Sequence, residues 1–506
     1  MVAVINFGGQ YAHLIARRIR ELGVKSELFP PEISIQKITD LSPDAIIFSG
    51  SPFSVYDKKA PHINPKIYEL QIPILGICYG QQLIAYQLNG SVSSHDSKQF
   101  GKENLKIGKS QLFEGLKKTE TVWFSHGDQV DKIPLGFTII ASSKNAKVAG
   151  IQNPTSKIYG IQFHPEVTHT PSGRKILSNF LFTIANTKKD WDLKKQKDEI
   201  INSLSHKIKY HRVIMAISGG VDSLVAAALL KEAIGNNLHL VFIDTGLLRK
   251  NEVSEVQSIV KKVGFVNFKI SNSSERFLSA LKGVTDPEEK RQIIAKHYFA
   301  IFEEEAKRIK SVKYLAQGTI YPDRIESAQP TKHADKIKSH HNLTLPKGLE
   351  LEIVEPLAEF YKDEVRKIGA ILGINQQFLL RHPFPGPGLA IRILGEVTKE
   401  RLSILREVDY VLISELRSAG LYDKVGQAFA ALLPVKSVGV MGDARTYSYI
   451  VSLRSVDTQD FMTADWSKIP FSVLEKISSR IVNEVRGVNR VLYDITQKPP
   501  ATIEYE

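Results

Sequence analysis

Val213–Leu230 reads "VIMAISGGVDSLVAAALL". A β-branched apolar run stops at Ser218-Gly219-Gly220, passes Val221-Asp222-Ser223, and resumes as an alanine- and leucine-rich pattern of helical type. A strand that turns through glycines into a helix offers an anion unpaired backbone N–H groups and the positive end of the helix. Residues 218–223 therefore read as a phosphate site, with the Ser218 and Ser223 hydroxyls as further donors. A bare βα turn capped by Asp222 uses the same residues; the complete hexapeptide in strand-to-helix context favours the phosphate reading. No lysine follows, so this is not the GxxxxGK[ST] loop, which argues against simple kinase or GTPase chemistry.

Working outward, the chain of 506 residues is too long for one core, and its 42% hydrophobic and 24% charged content is that of a globular protein. Before the loop, runs such as "AIIFSG", "IPILGI" and "IYGIQFHP" alternate with helical patterns, predicting an α/β domain with a largely parallel sheet. "NTKKDWDLKKQKDEIINSLSHKIKYHR" then forms an amphipathic boundary helix. After the loop, "LHLVFIDTG" and "VKYLAQGT" predict further strands. The polar stretch Tyr321–Glu350 is too long for a simple connection, and loops of that length are usually functional lids or disordered. "RHPFPGPGLAIRIL" marks a second boundary. Beyond it, strands at "AIRILG", "KSVGVMG", "YSYIVSL" and "NRVLYDI" alternate with helices in a small α+β domain.

No apolar run is long enough for a membrane span, and "MVAVINFGGQ" lacks the layout of a signal peptide, which predicts a cytoplasmic protein with no membrane partner. Lys plus Arg exceeds Asp plus Glu by 67 − 54 = 13. That excess steers anions, but with no basic block or RNA-binding signature it predicts no nucleic-acid partner. The single cysteine, Cys78, excludes an internal disulfide and any CxxC pair.

Around Cys78 the chain reads "PILGICYGQQLIAYQL", a strand, Gly76-Ile77-Cys78-Tyr79-Gly80, and a helix. This is the G-x-nucleophile-x-G elbow with sulfur in place of a hydroxyl, and the following helix N-terminus favours a thiolate. A lone cysteine is ordinarily a small buried hydrophobe; the elbow overturns that reading provided a base exists. "YGIQFHPEVTHTPSG" supplies one. His164 and Glu166 are two apart in what begins as a strand, so both project to one face, with Glu166 orienting the imidazole that deprotonates Cys78.

Cys78, His164 and Glu166 in this arrangement resemble the class I glutamine amidotransferases, which hydrolyse glutamine to glutamate and ammonia. The resemblance implies that Tyr79, Gly50 and Ser51 supply the oxyanion hole, and that Gln82, His126 and Asp128 lie near the glutamine. "SGGVDS" resembles the pyrophosphate loop of ATP pyrophosphatases, which cut ATP between its α and β phosphates. There Ser218, Gly219, Gly220, Val221, Asp222 and Ser223 would hold ATP, and Asp222 would place Mg²⁺.

Together with "GTIYPDRIES", "IKSHHN", "EPLAEFYKDEVR", "RHPFPGPGLAIR" and "KPPATIEYE", the two sites are similar to the glutamine-hydrolysing GMP synthase family over nearly the whole chain. That resemblance implies three parts: a class I glutamine amidotransferase domain (1–188), a doubly wound ATP pyrophosphatase domain with a parallel sheet (189–384), and a small C-terminal α+β dimerisation and XMP-binding domain (385–506). It implies XMP, ATP with Mg²⁺, and glutamine as partners, and a homodimer. Arg291, Arg392, Lys498 and Glu504 would hold XMP, and Lys338 would close over ATP. Three positions depart from the family pattern: Ser51 stands for a glycine, Thr245 for an asparagine and Asn6 for an aspartate.

Rival readings explain less. A tRNA-thiolating pyrophosphatase calls for a cysteine near residue 220, and Cys78 belongs to the other domain. NAD synthetase or asparagine synthetase chemistry leaves the C-terminal segments unused. A regulatory protein with dead sites has no use for an intact Cys78, His164, Glu166 and phosphate loop.

Overall fold

The computed structural model describes residues 1–328, 351–441, 444–458 and 463–506. Two compact units divide at Asp192 and Leu193; each is described by itself. The boundary expected near residue 384 falls inside the second unit.

The first unit is built on a nine-stranded sheet. Its parallel half joins β1 (Val2–Ile5), β2 (Ser26–Phe29), β3 (Ala45–Phe48), β4 (Ile74–Ile77) and, after the hairpins, β9 (Ile158–Ile161), in the order β2-β1-β3-β4-β9. The strands β1, β3, β4 and β9 are buried throughout, the signature of a parallel sheet covered on both faces. The sheet continues through β8 (Gly150–Asn153), β7 (Thr138–Ser143), β5 (Ser91–Ile107) and β6 (Thr119–Lys132), all antiparallel. The largely parallel sheet expected from the sequence is therefore parallel in only half of its pairings. β6 alternates buried and solvated residues, and that period fixes a half-exposed strand without fixing its direction.

In the second unit, β10 (Arg212–Ala216), β11 (Leu238–Asp244), β12 (Asn267–Asn272), β13 (Val312–Ala316) and β14 (Glu352–Val354) form a parallel sheet ordered β12-β11-β10-β13-β14. The chain leaves β10 toward β11 on one side and returns to β13 on the other. This reversal opens a crevice at the carboxyl end of β10, where ligands of doubly wound sheets bind. The helix Val221–Ile234 starts at that crevice. It is buried from Leu224 to Leu230 and packs against the helices Leu193–Ile208 and Lys362–Ile371, which explains its near-continuous apolar sequence.

The last part of the unit is a sheet of β15 (Gln427–Met441), β16 (Ala444–Asp457), β17 (Asp465–Trp466) and β18 (Val488–Asp494), with β16 at its centre. The helices Lys399–Ser418 and Phe471–Glu484 pack on this sheet; the first starts at Thr398, whose hydroxyl accepts from Arg401 N. One hydrophobic core runs from Ile214 and Val241 through Leu389 and Leu405 to Val451 and Ile481, so the two sheets of this unit share an interior.

The segment "AIRILG", expected as a strand, is instead a 3₁₀ turn at Gly388–Arg392 with a single bridge from Ile393 to Leu432. A side chain takes the place of a sheet neighbour here. Lys290, fully buried, donates to the carbonyls of Ala390 (3.2 Å) and Ile393 (2.8 Å), and Gly395 N donates to the Glu506 carboxylate at 3.0 Å. Among the described residues, no helix is long and apolar enough to cross a membrane.

Candidate active sites

β4 delivers the chain to Cys78, which sits in the left-handed half of backbone space at φ 56° and ψ −108°, ahead of the helix Tyr79–Gln87. The turn closes because its flanks are glycines. A Cβ on Gly76 would lie 2.5 Å from the Gly80 carbonyl carbon, and one on Gly80 would lie 2.7 Å from the Phe48 carbonyl oxygen. Cys78 N donates to Ile161 O at 2.8 Å, tying the elbow to the end of β9.

The same end of β9 carries the imidazole. His164 and Glu166 lie in the irregular turn that follows the strand rather than in strand alternation, with Pro165 interrupting the ladder between them. His164 N donates to Trp123 O (2.9 Å), the Thr170 hydroxyl donates to His164 O (2.6 Å), and Arg18 Nε donates to Glu166 O (2.9 Å), which fixes the turn. His164 Nδ1 meets Glu166 Oε1 at 2.7 Å, and both side chains are buried. Burial opposes a charge on the ring, yet Glu166 and the hydrogen bond to Cys78 outweigh it and raise the His164 pKa from 6.5 to about 10. The thiol donates to Ser125 O at 3.7 Å. A buried sulfur with an imidazolium and a buried carboxylate behind it is equipped for nucleophilic acyl transfer.

The other expected residues of this unit fall around the sulfur. A Cβ on Gly50 would lie 3.5 Å from His164 Cε1 and 3.9 Å from Cys78 Cβ, so the Gly50–Ser51 turn borders the Cys78 side chain. Ser51 is not in the left-handed region, so serine costs no backbone strain there, and its hydroxyl accepts from Phe53 N at 3.3 Å. Tyr79 opens the helix, which leaves its N–H without an intrahelical acceptor, while its hydroxyl donates to Pro61 O. Gln82 Nε2 donates to Asp128 O (2.8 Å), His126 Nδ1 meets the same oxygen (2.9 Å), and Tyr56 donates to Asp128 Oδ1 (3.2 Å). Asn6 Oδ1 accepts from Gly8 N at 2.9 Å, as an aspartate would.

Sequence reasoning missed Tyr11, whose ring stands edge-on to His164 at 5.0 Å, and Gln162, whose Nε2 is 3.6 Å from Cys78 Sγ. The one available signal was Gln162 itself, an amide inside an apolar strand run.

In the second unit, Gly219 turns the loop 218–223 at φ +77°, and Gly220 is the N-cap of the helix. Ser223 Oγ accepts from Ser218 N (3.2 Å), donates to Gly220 O (3.1 Å) and lies 3.1 Å from Ser218 Oγ, so the two hydroxyls brace the loop. Val221, the first helical residue, is buried beneath it. Asp222 Oδ2 accepts from Lys362, whereas Asp222 Oδ1 is buried with no hydrogen-bond partner among the described residues. One free carboxylate oxygen beside a phosphate loop fits Mg²⁺, which takes few protein ligands and shares substrate phosphates. Arg381 clamps the loop from outside, donating to Gly219 O (3.2 Å), Glu255 (2.9 Å) and Glu252 (3.4 Å). Neither Lys362 nor Arg381 was expected. Thr245 Oγ1 accepts from Leu247 N at 3.2 Å and holds the turn after β11. Lys338 lies outside the described residues.

Arg392 is fully buried and grips Glu504 with two bonds, Nε to Oε2 at 3.0 Å and Nη2 to Oε1 at 2.8 Å, with its guanidinium over the Phe429 ring at 4.2 Å. Gln427 donates to the same carboxylate at 2.8 Å. Arg291 donates to the Glu506 main-chain oxygen (2.6 Å), and Lys290 pairs with the Glu506 carboxylate. Lys498 joins this tail to the sheet through backbone bonds with Ala464 at 2.8 and 3.1 Å. The last nine residues are thus pinned in place, with Arg392 beside Glu504 and Arg291 beside Glu506.

The class of protein follows from these two sites: a glutamine amidotransferase of class I carried in one chain with an ATP-binding unit of the pyrophosphatase type. Residues 3–184 match the family described as "Glutamine amidotransferase class-I", 193–297 match "NAD synthase", and 414–505 match "GMP synthase C terminal domain". The chain is 51% identical to the "GMP synthase [glutamine-hydrolyzing]" of Clostridium tetani over 508 residues, covering 100% of this chain and 99% of that one. It is 51% identical to the protein of the same name from Aquifex aeolicus over 507 residues, with the same coverage. The chain belongs to the family of glutamine-hydrolysing GMP synthases.

Proposed function

We propose that the chain aminates XMP to GMP, in the overall reaction XMP + ATP + glutamine + water → GMP + AMP + pyrophosphate + glutamate. The observation that carries this is the presence in one chain of a thiol–imidazole–carboxylate elbow and a phosphate loop at a sheet reversal, in a chain related over its full length to GMP synthases. The match to NAD synthase ends at residue 297, whereas the C-terminal match names GMP synthase, which favours XMP over an NAD synthetase acceptor.

In the first unit the Cys78 sulfur attacks the glutamine amide carbonyl, and N–H groups of the Gly50–Ser51 turn and Tyr79 receive the oxyanion. His164 gives its proton to the departing ammonia and then activates water, releasing glutamate and restoring the thiolate. In the second unit the C2 oxygen of XMP attacks the α-phosphate of ATP, and pyrophosphate leaves into the loop 218–223. Ammonia then displaces AMP from adenyl-XMP. Mg²⁺ bound with ATP supplies charge neutralisation at the phosphates, and Asp222 Oδ1 is the oxygen that would hold it. Arg291, Arg392, Lys498 and Glu504 would hold XMP, the buried Arg392 acting by fixing the Glu504 carboxylate.

We assign residues 1–188, 189–384 and 385–506 to the amidotransferase, pyrophosphatase and dimerisation parts of a cytoplasmic homodimer. Val438 and its cross-strand neighbour Tyr447, with Val440, expose an apolar face on β15 and β16 suited to a second copy. Light scattering that finds only monomer at micromolar concentration contradicts the dimer. The reaction is tested by incubating the protein with XMP, MgATP and glutamine, beside an ammonium control. GMP, AMP and glutamate in equal amounts support it, and no GMP from either nitrogen source removes XMP as the acceptor.

A further inference from the structure

We infer that Gln162 is a catalytic residue of the glutaminase: its side-chain N–H donates to Cys78 Sγ and holds the charge of the thiolate. The inference rests on Cys78 being the nucleophile.

Donors and acceptors alone settle which end of the Gln162 amide faces the sulfur. The Asp128 main-chain oxygen can only accept, so the Gln82 group 2.8 Å from it is the amide nitrogen. That nitrogen also lies 3.3 Å from the end of Gln162, which is therefore the oxygen. The other end of Gln162 is then its nitrogen, 3.6 Å from Cys78 Sγ. Asp128, Gln82, Gln162 and Cys78 thus form one directional chain in which each amide fixes the next.

Both amides are buried, Gln162 at 0% and Gln82 at 3% exposure, so water does not compete for these bonds. Gln162 is held by its backbone as well, its N–H donating to Ala149 O at 3.0 Å. The arrangement discriminates between the two forms of the sulfur. As a thiol, Cys78 donates to Ser125 O at 3.7 Å. As a thiolate it loses that bond and faces a carbonyl dipole, and Gln162 is the neutral donor positioned to hold the negative charge beside the His164 imidazolium. Gln162 therefore stabilises the reactive form over the resting one.

The test uses the full-length protein with Gln162→Leu, which removes the donor at similar size, and Gln162→Glu, which keeps the shape but sets a carboxylate against the sulfur. Iodoacetamide probes the thiolate without requiring glutamine recognition. For Gln162→Leu, the alkylation rate of Cys78 and the glutamine-dependent kcat should both fall about tenfold, the value of a hydrogen bond to a charged group. KM for glutamine should stay within about twofold. Gln162→Glu should lose more, and synthesis from ammonium should be unchanged in both. Wild-type alkylation rates in both variants overturn the inference, as does a rise in KM with kcat and alkylation intact, which assigns Gln162 to glutamine binding. Should Gln162→Leu fail to fold, Gln162→Met offers the same comparison. In the parent protein, alkylation that leaves glutamine-dependent turnover intact removes Cys78 as the nucleophile; its loss with ammonium turnover spared establishes that reading independently of Gln162.

Discussion

Glu166 Oε1 stands 2.7 Å from His164 Nδ1 in the turn after β9, with Glu166 wholly buried and the imidazole edge facing Cys78. This pair holds a proton that the unfolded chain releases near 6.5, because the folded His164 releases it only near 10. Its contribution to stability is therefore complete below about 6.5 and is lost as the pH rises through about 10. Glu166→Gln should lower Tm most at neutral and acidic pH, with the gap to the parent protein narrowing toward pH 10. Its glutamine-dependent kcat should fall by about 10²–10⁴. A constant Tm gap across that range removes the ion pair from the account.

Asp222 offers one oxygen to Lys362, and the other has no hydrogen-bond partner among the described residues. Asp222→Asn keeps the size and removes the charge, and it should reduce GMP formation from glutamine and from ammonium alike, by about 10² or more. Chelation of Mg²⁺ should abolish both reactions, and its return should restore them. Normal turnover of Asp222→Asn with ammonium takes this residue out of the ATP site.

The Arg392–Glu504 pair joins a fully buried guanidinium to a carboxylate 112 positions away. Glu504→Gln leaves a guanidinium in the core with half its partner, and should cost about 3–5 kcal/mol in denaturant unfolding. Arg392→Met, which fills the space with apolar atoms but strands the Glu504 carboxylate, should also lose stability while shifting KM for XMP. Unfolding midpoints equal to the parent protein contradict the tail's structural role.

At the elbow, Gly76→Ala sets a methyl group 2.5 Å from the Gly80 carbonyl carbon. Backbone cannot yield there as a side-chain tip does, so the variant should lose about 2–3 kcal/mol of stability or fail to accumulate. A variant that folds normally and keeps glutaminase activity shows that the strand-to-helix turn has slack.

What the sequence disclosed follows from how local each feature is. The 218–223 loop and the Cys78 elbow are set by a few contiguous residues, glycines included, and both were readable as strand-to-helix turns. His164 and Glu166 were readable as a pair only because they stand two positions apart, although the turn that joins them is not the strand expected. Lys362 meets Asp222 across 140 positions and Arg392 meets Glu504 across 112, and no pattern in a single sequence marks such partners. The segment 390–395 shows the limit most clearly. Its apolar run has strand composition, but the buried Lys290 and Glu506 take the backbone groups that a neighbouring strand would have used.

The central claim, two chemistries in one chain joined by ammonia, is tested most directly by Cys78→Ala. GMP formation from XMP and MgATP should vanish with glutamine as the nitrogen source and persist at the parent rate with ammonium. Loss of both activities, or retention of glutamine-driven synthesis, contradicts the account.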